Sequence, residues 1–304
     1  MNQYLRISPA VQQALDNGKP VVALESTIIS HGIPYPHNAA IAKKSEQIVR
    51  DIGAEPAIIA IWQGKMCVGL SSEELDAFAK KGDQVKRASR RDIPLLLAEG
   101  ADGATTVAAT IAIAALAGIH VFATSAIGGV HMGAESSMDI SADLDELAHT
   151  PVVVVCSGPN GILNVPLTME YLETRGVPVV GYGTDILPTF YTNKSGYPVD
   201  NRLDDPETIA RAFQIQRSMR FKTGMLVANP IPPDYVMPPD MVDNVVSQAV
   251  REAHSKGIFG KNITPFLLNK VSEITGGHSL EASEGLIYNN VELAARIALA
   301  LAKQ

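Results

Sequence analysis

The chain has 304 residues, 46% of them hydrophobic and 19% charged, a balance that excludes a disordered, coiled-coil or collagen-like polypeptide. Its net charge of −7 argues against a nucleic-acid-binding domain, for which a basic balance is usual. Two cysteines, Cys67 and Cys156, exclude a disulfide framework and point to a reducing compartment.

In chain order, residues 1–20 contain no apolar core of a secretory signal, so a soluble, cytoplasmic protein is expected. Short apolar runs then alternate with amphipathic stretches. Strands are predicted at 20–25, 56–61, 119–124, 151–156, 177–182 and 224–228, and helices at 38–52, 71–80, 104–117, 144–149, 165–175, 206–219, 240–256, 264–274 and 286–302. The runs are rich in Val and Ile without polar alternation, as in strands buried on both faces. The alternation predicts an α/β fold: one three-layer α/β/α domain over residues 1–304, built around a largely parallel sheet. Residues 103–130 are nearly free of charge and approach the length of a membrane span, about 20 residues. Gly118 breaks that run and the strand-like HVFAT follows, so a buried helix leading into a buried strand is expected, and no membrane association. Residues 183–205, with scattered Gly, Pro, Asn and Asp, form the longest irregular stretch and a candidate active-site loop.

In such sheets ligands bind beyond the carboxyl ends of the strands. Glu25 ends a strongly apolar strand, where burial would raise its pKa toward the range of a general acid; capping a helix or pairing with an arginine is the alternative. Lys86, Arg87, Arg90 and Arg91 concentrate four cations within six residues, suited to a phosphate or carboxylate, or equally to a solvated face or subunit contact. Thr106 and Val107 open the apolar helix, whose free N–H groups could meet an anion, although a plain Thr cap explains them as well. Asp139 and Asp143 stand four apart, with His131 upstream, a donor set compatible with a hard cation. Asp143-Leu144-Asp145-Glu146 also reads as a capping box for the next helix. No HExxH or paired CxxC occurs, so no zinc site is indicated.

Several segments together resemble the pseudouridine-5′-phosphate glycosidase family, also called the indigoidine synthase A family: VVALESTIISHGIPYP (21–36), SRRDIP (89–94), DGATTVAAT (102–110), AIGGVHMGAE (126–135), DISADL (139–144), PLTMEYLETRGVPVVGYGTD (166–185) and VANPIP (227–232). The resemblance implies an α/β/α fold, a homotrimer, and Mn²⁺-dependent breakage or formation of the bond between uracil and ribose 5-phosphate. By motif, Glu25 matches the family's proton donor, Asp139 its metal ligand, and Ser141, Ala142, Asp143 and Val107 its substrate contacts. Lys86, Arg87 and Thr106 fall in the expected substrate-binding set, and His131, Asn289 and Asn290 look like pocket residues. Small-molecule nucleotides or sugar phosphates are the expected partners.

One departure stands out. The family's nucleophilic lysine lies in a segment of the form C-A-G-A-K-S-I-L-D, and here that segment reads CSGPNGILN, with Asn160 at the lysine position. Asparagine has no basic amine and forms no iminium with a sugar aldehyde. Arg87 stands where the family has lysine, which keeps phosphate binding, and Met132 stands where relatives tend to have arginine. The expectations that follow are a glycosidase working without a Schiff base, with an N-linked nucleotide as an alternative substrate; recruitment of another lysine, Lys194 in FYTNKSG; or a non-catalytic relative that binds a nucleotide or sugar phosphate.

Overall fold

The computed structural model describes residues 2–303 apart from Gly32, Tyr191, Lys194 and most of 237–277. Among the described residues eleven strands form one sheet: β1 (Leu5–Ile7), β2 (Val21–Glu25), β3 (Glu55–Trp62), β4 (Lys65–Val68), β5 (Lys86–Ala88), β6 (Gly103–Thr105), β7 (Val121–Ala123), β8 (Val153–Cys156), β9 (Val179–Tyr182), β10 (Asn201–Leu203) and β11 (Met225–Ala228). Their order is β1-β4-β3-β2-β7-β8-β11-β9-β10, with β6 set against β3 and carrying β5. Every pairing is parallel except those of β3 with β4 and with β6. The expected single-domain, three-layer architecture with a largely parallel sheet is what the chain adopts.

Strand alternation divides the core in two. Val22, Leu24, Val153 and Val155 face helices His37–Ile52, Ser72–Lys81, Pro206–Ser218 and His278–Ala302. Val21, Ala23, Val154 and Cys156 face helices Pro9–Asp16, Val107–Leu116, Ala142–His149 and Val165–Thr174. All four residues of β8 are fully buried, which is why it reads as an unbroken apolar run. From β2 the chain steps to β3 on one side, and β7 flanks β2 on the other. The order therefore diverges between β2 and β7, and such a divergence opens a crevice at the carboxyl ends of the strands.

The helix expected at 104–117 begins only at Val107, because Gly103–Thr105 is drawn into the sheet as β6 beside β5. Thr106 caps that helix, accepting from the Ala109 N–H at 3.5 Å. Among its described residues the irregular stretch 183–205 contains β10 and otherwise only isolated bridges. Its Pro188 carbonyl leaves no room for a side chain at Gly158, whose φ of +75° also suits glycine. The helix expected at 264–274 lies mostly, and that at 240–256 partly, outside the described residues. Among the described residues no helix is long and apolar enough to cross a membrane.

Candidate active site

The site is built at the β2–β7 divergence. Leu24 sits opposite Ala123, so the next residues along, Glu25 and Thr124, leave the sheet side by side. The Thr124 hydroxyl donates to Glu25 Oε1, and both side chains are buried. Burial pushes the Glu25 carboxyl up to about 7; the hydrogen bond from Thr124 opposes this, the negative charge of Asp143 adds to it, and Arg87 opposes it. Glu25 backs onto a small apolar cavity with Ile28, Ile41, Ile287 and Val291 on its walls.

A set of buried hydroxyls fixes this exit against β6. Ser26 Oγ accepts from the Thr105 N–H at 2.9 Å, Thr105 Oγ1 donates to the Ile59 carbonyl at 2.7 Å, and Thr27 Oγ1 donates to the Thr105 carbonyl at 2.6 Å. Since β6 carries β5, the same bonds set Arg87, which pairs in register with Ala104, relative to Glu25.

A cleft of ≈ 700 Å³ is walled by Arg87, Thr106, His131, Asp139, Ser141, Ala142 and Asp143, with Ser89 and Arg91 on the basic side; Glu25 does not line it but feels the charges of Asp143 and Arg87 in its wall. Asp143 is not the capping residue of its helix: Ser141 occupies that position and accepts from the Asp143 N–H at 3.3 Å. The buried Asp143 carboxylate instead receives the Ala108 N–H at 2.9 Å and the Gly128 N–H at 2.9 Å. A Cβ at Gly128 would collide with Ser141 and Asp143, so this approach requires glycine. Asp143 thus takes the N–H of the second residue of the helix after Thr106 and pins it to the loop after β7, where a negative charge is favourable.

The cationic segment does not act as one patch. Neighbouring strand residues point to opposite faces, so Lys86 turns from Arg87 and, exposed, pairs with Glu99 at 3.0 Å rather than facing the cleft. Arg90 reaches the buried Glu146 at 2.8 Å. Arg87, half-buried, and Arg91, exposed at the rim and 3.9 Å from Asp92, line the basic side of the cleft.

Asp139 and His131 share one loop, closed by a His131 N–H to Asp139 carbonyl bond at 3.0 Å. Burial lowers the His131 pKa, and the Asp139 charge partly offsets that. The Asp139 carboxylate is half-buried at the cleft and accepts no side-chain hydrogen bond among the described residues. Among the described residues no three His, Cys, Asp or Glu side chains converge into a metal cage. A single carboxylate suits a hard divalent cation that keeps most of its waters, and is too sparse for zinc.

The other expected site residues stand apart from the cleft. Val107 is buried in the first helical turn behind Thr106. Asn160 is buried in the turn after β8, its N–H donated to the Ile127 carbonyl at 3.1 Å. Asn289 donates to the Pro230 carbonyl at 3.0 Å. Lys194 lies outside the described residues. Sequence reading missed Thr124; the signal was its place at the end of the strand that neighbours Glu25's own.

A family described as indigoidine synthase A like protein matches residues 10–300. The chain is 58% identical over 298 residues to the pseudouridine-5′-phosphate glycosidase of Hahella chejuensis, covering 98% of each. It is 53% identical over 296 residues to the pseudouridine-5′-phosphate glycosidase of Escherichia coli, covering 97% of this chain and 95% of that one. Among solved structures, the prealnumycin C-glycosynthase AlnA in complex with ribulose 5-phosphate superposes with a TM-score of 0.91 at 37% identity, over 100% of this chain and 98% of that chain. An indigoidine synthase A-like protein of Thermotoga maritima superposes with a TM-score of 0.90 at 35% identity, over 99% of this chain and 98% of that chain.

Proposed function

From the premise that this chain belongs to the indigoidine synthase A-like family and is an enzyme of the glycosidase type, we propose that it breaks or forms the glycosidic bond between a nucleobase and ribose 5-phosphate. The observation that carries this reading is Glu25: a buried carboxyl whose pKa is raised to about 7, acted on by the charges of Asp143 and Arg87 in the wall of a cleft with a basic side and an acidic side. A group poised at that value exchanges a proton with the base near neutral pH. Arg87 and Arg91, together with Ser89 and Thr106, supply donors for the sugar phosphate, the kind of ligand the AlnA structure holds. Asp143 anchors the floor of the site through two backbone N–H groups.

The donor set fits Mn²⁺ held through Asp139, with water and substrate oxygens completing its coordination. When bound, such an ion supplies positive charge against phosphate or sugar oxygens. Asp139→Asn is expected to weaken Mn²⁺ binding at least about tenfold in a calorimetric titration, the lost charge being the main source of affinity. Equal binding by both proteins would remove Asp139 from the metal site.

We further propose that the reaction proceeds without a Schiff base at position 160, because the Asn160 amide has no amine to condense with an aldehyde. Asn160→Lys is expected to permit borohydride trapping of a sugar phosphate on the variant and no trapping on the unaltered chain, read as added mass. Trapping on the unaltered chain would show that another lysine serves.

A further inference from the structure

We propose that Thr124 is the positioning residue for Glu25: its hydroxyl engages one carboxyl oxygen and leaves the other to carry the proton that moves. The proposal rests on the reading of Glu25 as proton donor. Its geometry is local and well braced. Glu25 and Thr124 are consecutive exits of adjacent parallel strands, so little backbone freedom separates them. Thr124 is also held from behind. The Asn290 amide donates to the Thr124 carbonyl at 2.9 Å and to Ser157 Oγ at 3.2 Å, and its oxygen accepts from Asn229 Nδ2 at 3.0 Å. Asn290 is fully buried on the long helix His278–Ala302. One amide therefore ties together the exits of β7, β8 and β11, and the hydroxyl it steadies rests on the acid.

The surroundings make that hydroxyl matter. Across the cavity, among the described residues, helices His37–Ile52 and His278–Ala302 present Ile41, Ala42, Ser45, Ile287 and Val291, none of them ionisable. The charges acting on Glu25 come from Asp143 and Arg87 on the cleft side. Thr124 is, among the described residues, the side chain that donates to the carboxyl, so it both fixes the rotamer and favours the ionised form over the neutral one.

The test is an infrared titration of the protein without substrate, with Glu25→Gln subtracted to assign the Glu25 carboxyl band. Thr124→Val, nearly the same size, is expected to move the Glu25 midpoint upward by about half a pH unit or more. Thr124→Ser keeps the hydroxyl and is expected to leave it in place. In turnover, Thr124→Val is expected to lose about tenfold in kcat with KM nearly unchanged, and Thr124→Ser to restore it. Thr124→Ala provides a second variant lacking the hydroxyl should the valine not fold. An unmoved midpoint in a folded variant lacking the hydroxyl overturns the proposal, as does failure of serine to restore kcat. If Glu25→Gln retains turnover, the proton-donor reading falls separately, while the infrared midpoints still decide whether Thr124 engages Glu25.

Discussion

Glu25→Gln is expected to lower base release by about 10²–10⁴-fold, the range that a positioned acid contributes, and at the same time to stabilise the fold above neutral pH. Both effects come from one cause. Burial raises the carboxyl from its ordinary value of 4.5 to about 7 in the folded protein. Between those values the folded state binds more protons than the unfolded state, so stability declines as pH rises through this window and levels off above it. Glutamine has no proton to lose and escapes the penalty. Urea unfolding of the two proteins is expected to give similar stabilities near pH 4.5 and to favour the variant by about 3 kcal/mol at pH 8. A difference that is the same at both pH values would show that Glu25 is not held in a raised state. The stability gained by removing it would mark Glu25 as a residue strained for function.

Asp143→Asn is the second large effect. The native carboxylate receives two backbone N–H groups, from Ala108 and Gly128. An amide offers one oxygen, and its NH₂ faces the remaining N–H, so a loss of about 2 kcal/mol in unfolding stability is expected. Asp143 also raises the Glu25 pKa through its charge. Removing that charge lowers the Glu25 pKa, so the alkaline edge of activity is expected to move to lower pH. Thr124→Val moves the same edge in the opposite direction, because it removes a bond to the ionised form. Shifts of the same sign in both variants would contradict the electrostatic picture of the site.

Much of the fold was legible because short Val- and Ile-rich runs alternating with amphipathic stretches read as strands buried on both faces, and the six expected runs all lie in the sheet. The short strands β1, β4, β5, β6 and β10 carry no such signal. They are held by pairing with distant segments, and β6 overrode the local preference of Gly103–Thr105 for the adjoining helix. Glu25 was legible as a carboxylate at the end of an apolar strand. The alternative reading of Asp143 as a helix cap fails because Asp-x-x-Glu satisfies only the local rule, whereas its partners are 35 and 15 residues away. The dispersal of the cationic segment was hidden for the same reason, since Glu99 and Glu146 claim Lys86 and Arg90 from elsewhere in the chain.

The most direct measurement incubates the purified protein and Mn²⁺ with pseudouridine 5′-phosphate and with N-linked nucleoside 5′-monophosphates, and separates released base by chromatography. Release of base together with a ribose 5-phosphate from at least one of them, abolished in Glu25→Gln, is the expected result. Tight binding of these nucleotides with no release from any, or release undiminished in Glu25→Gln, would contradict a glycosidic reaction driven by a proton from Glu25.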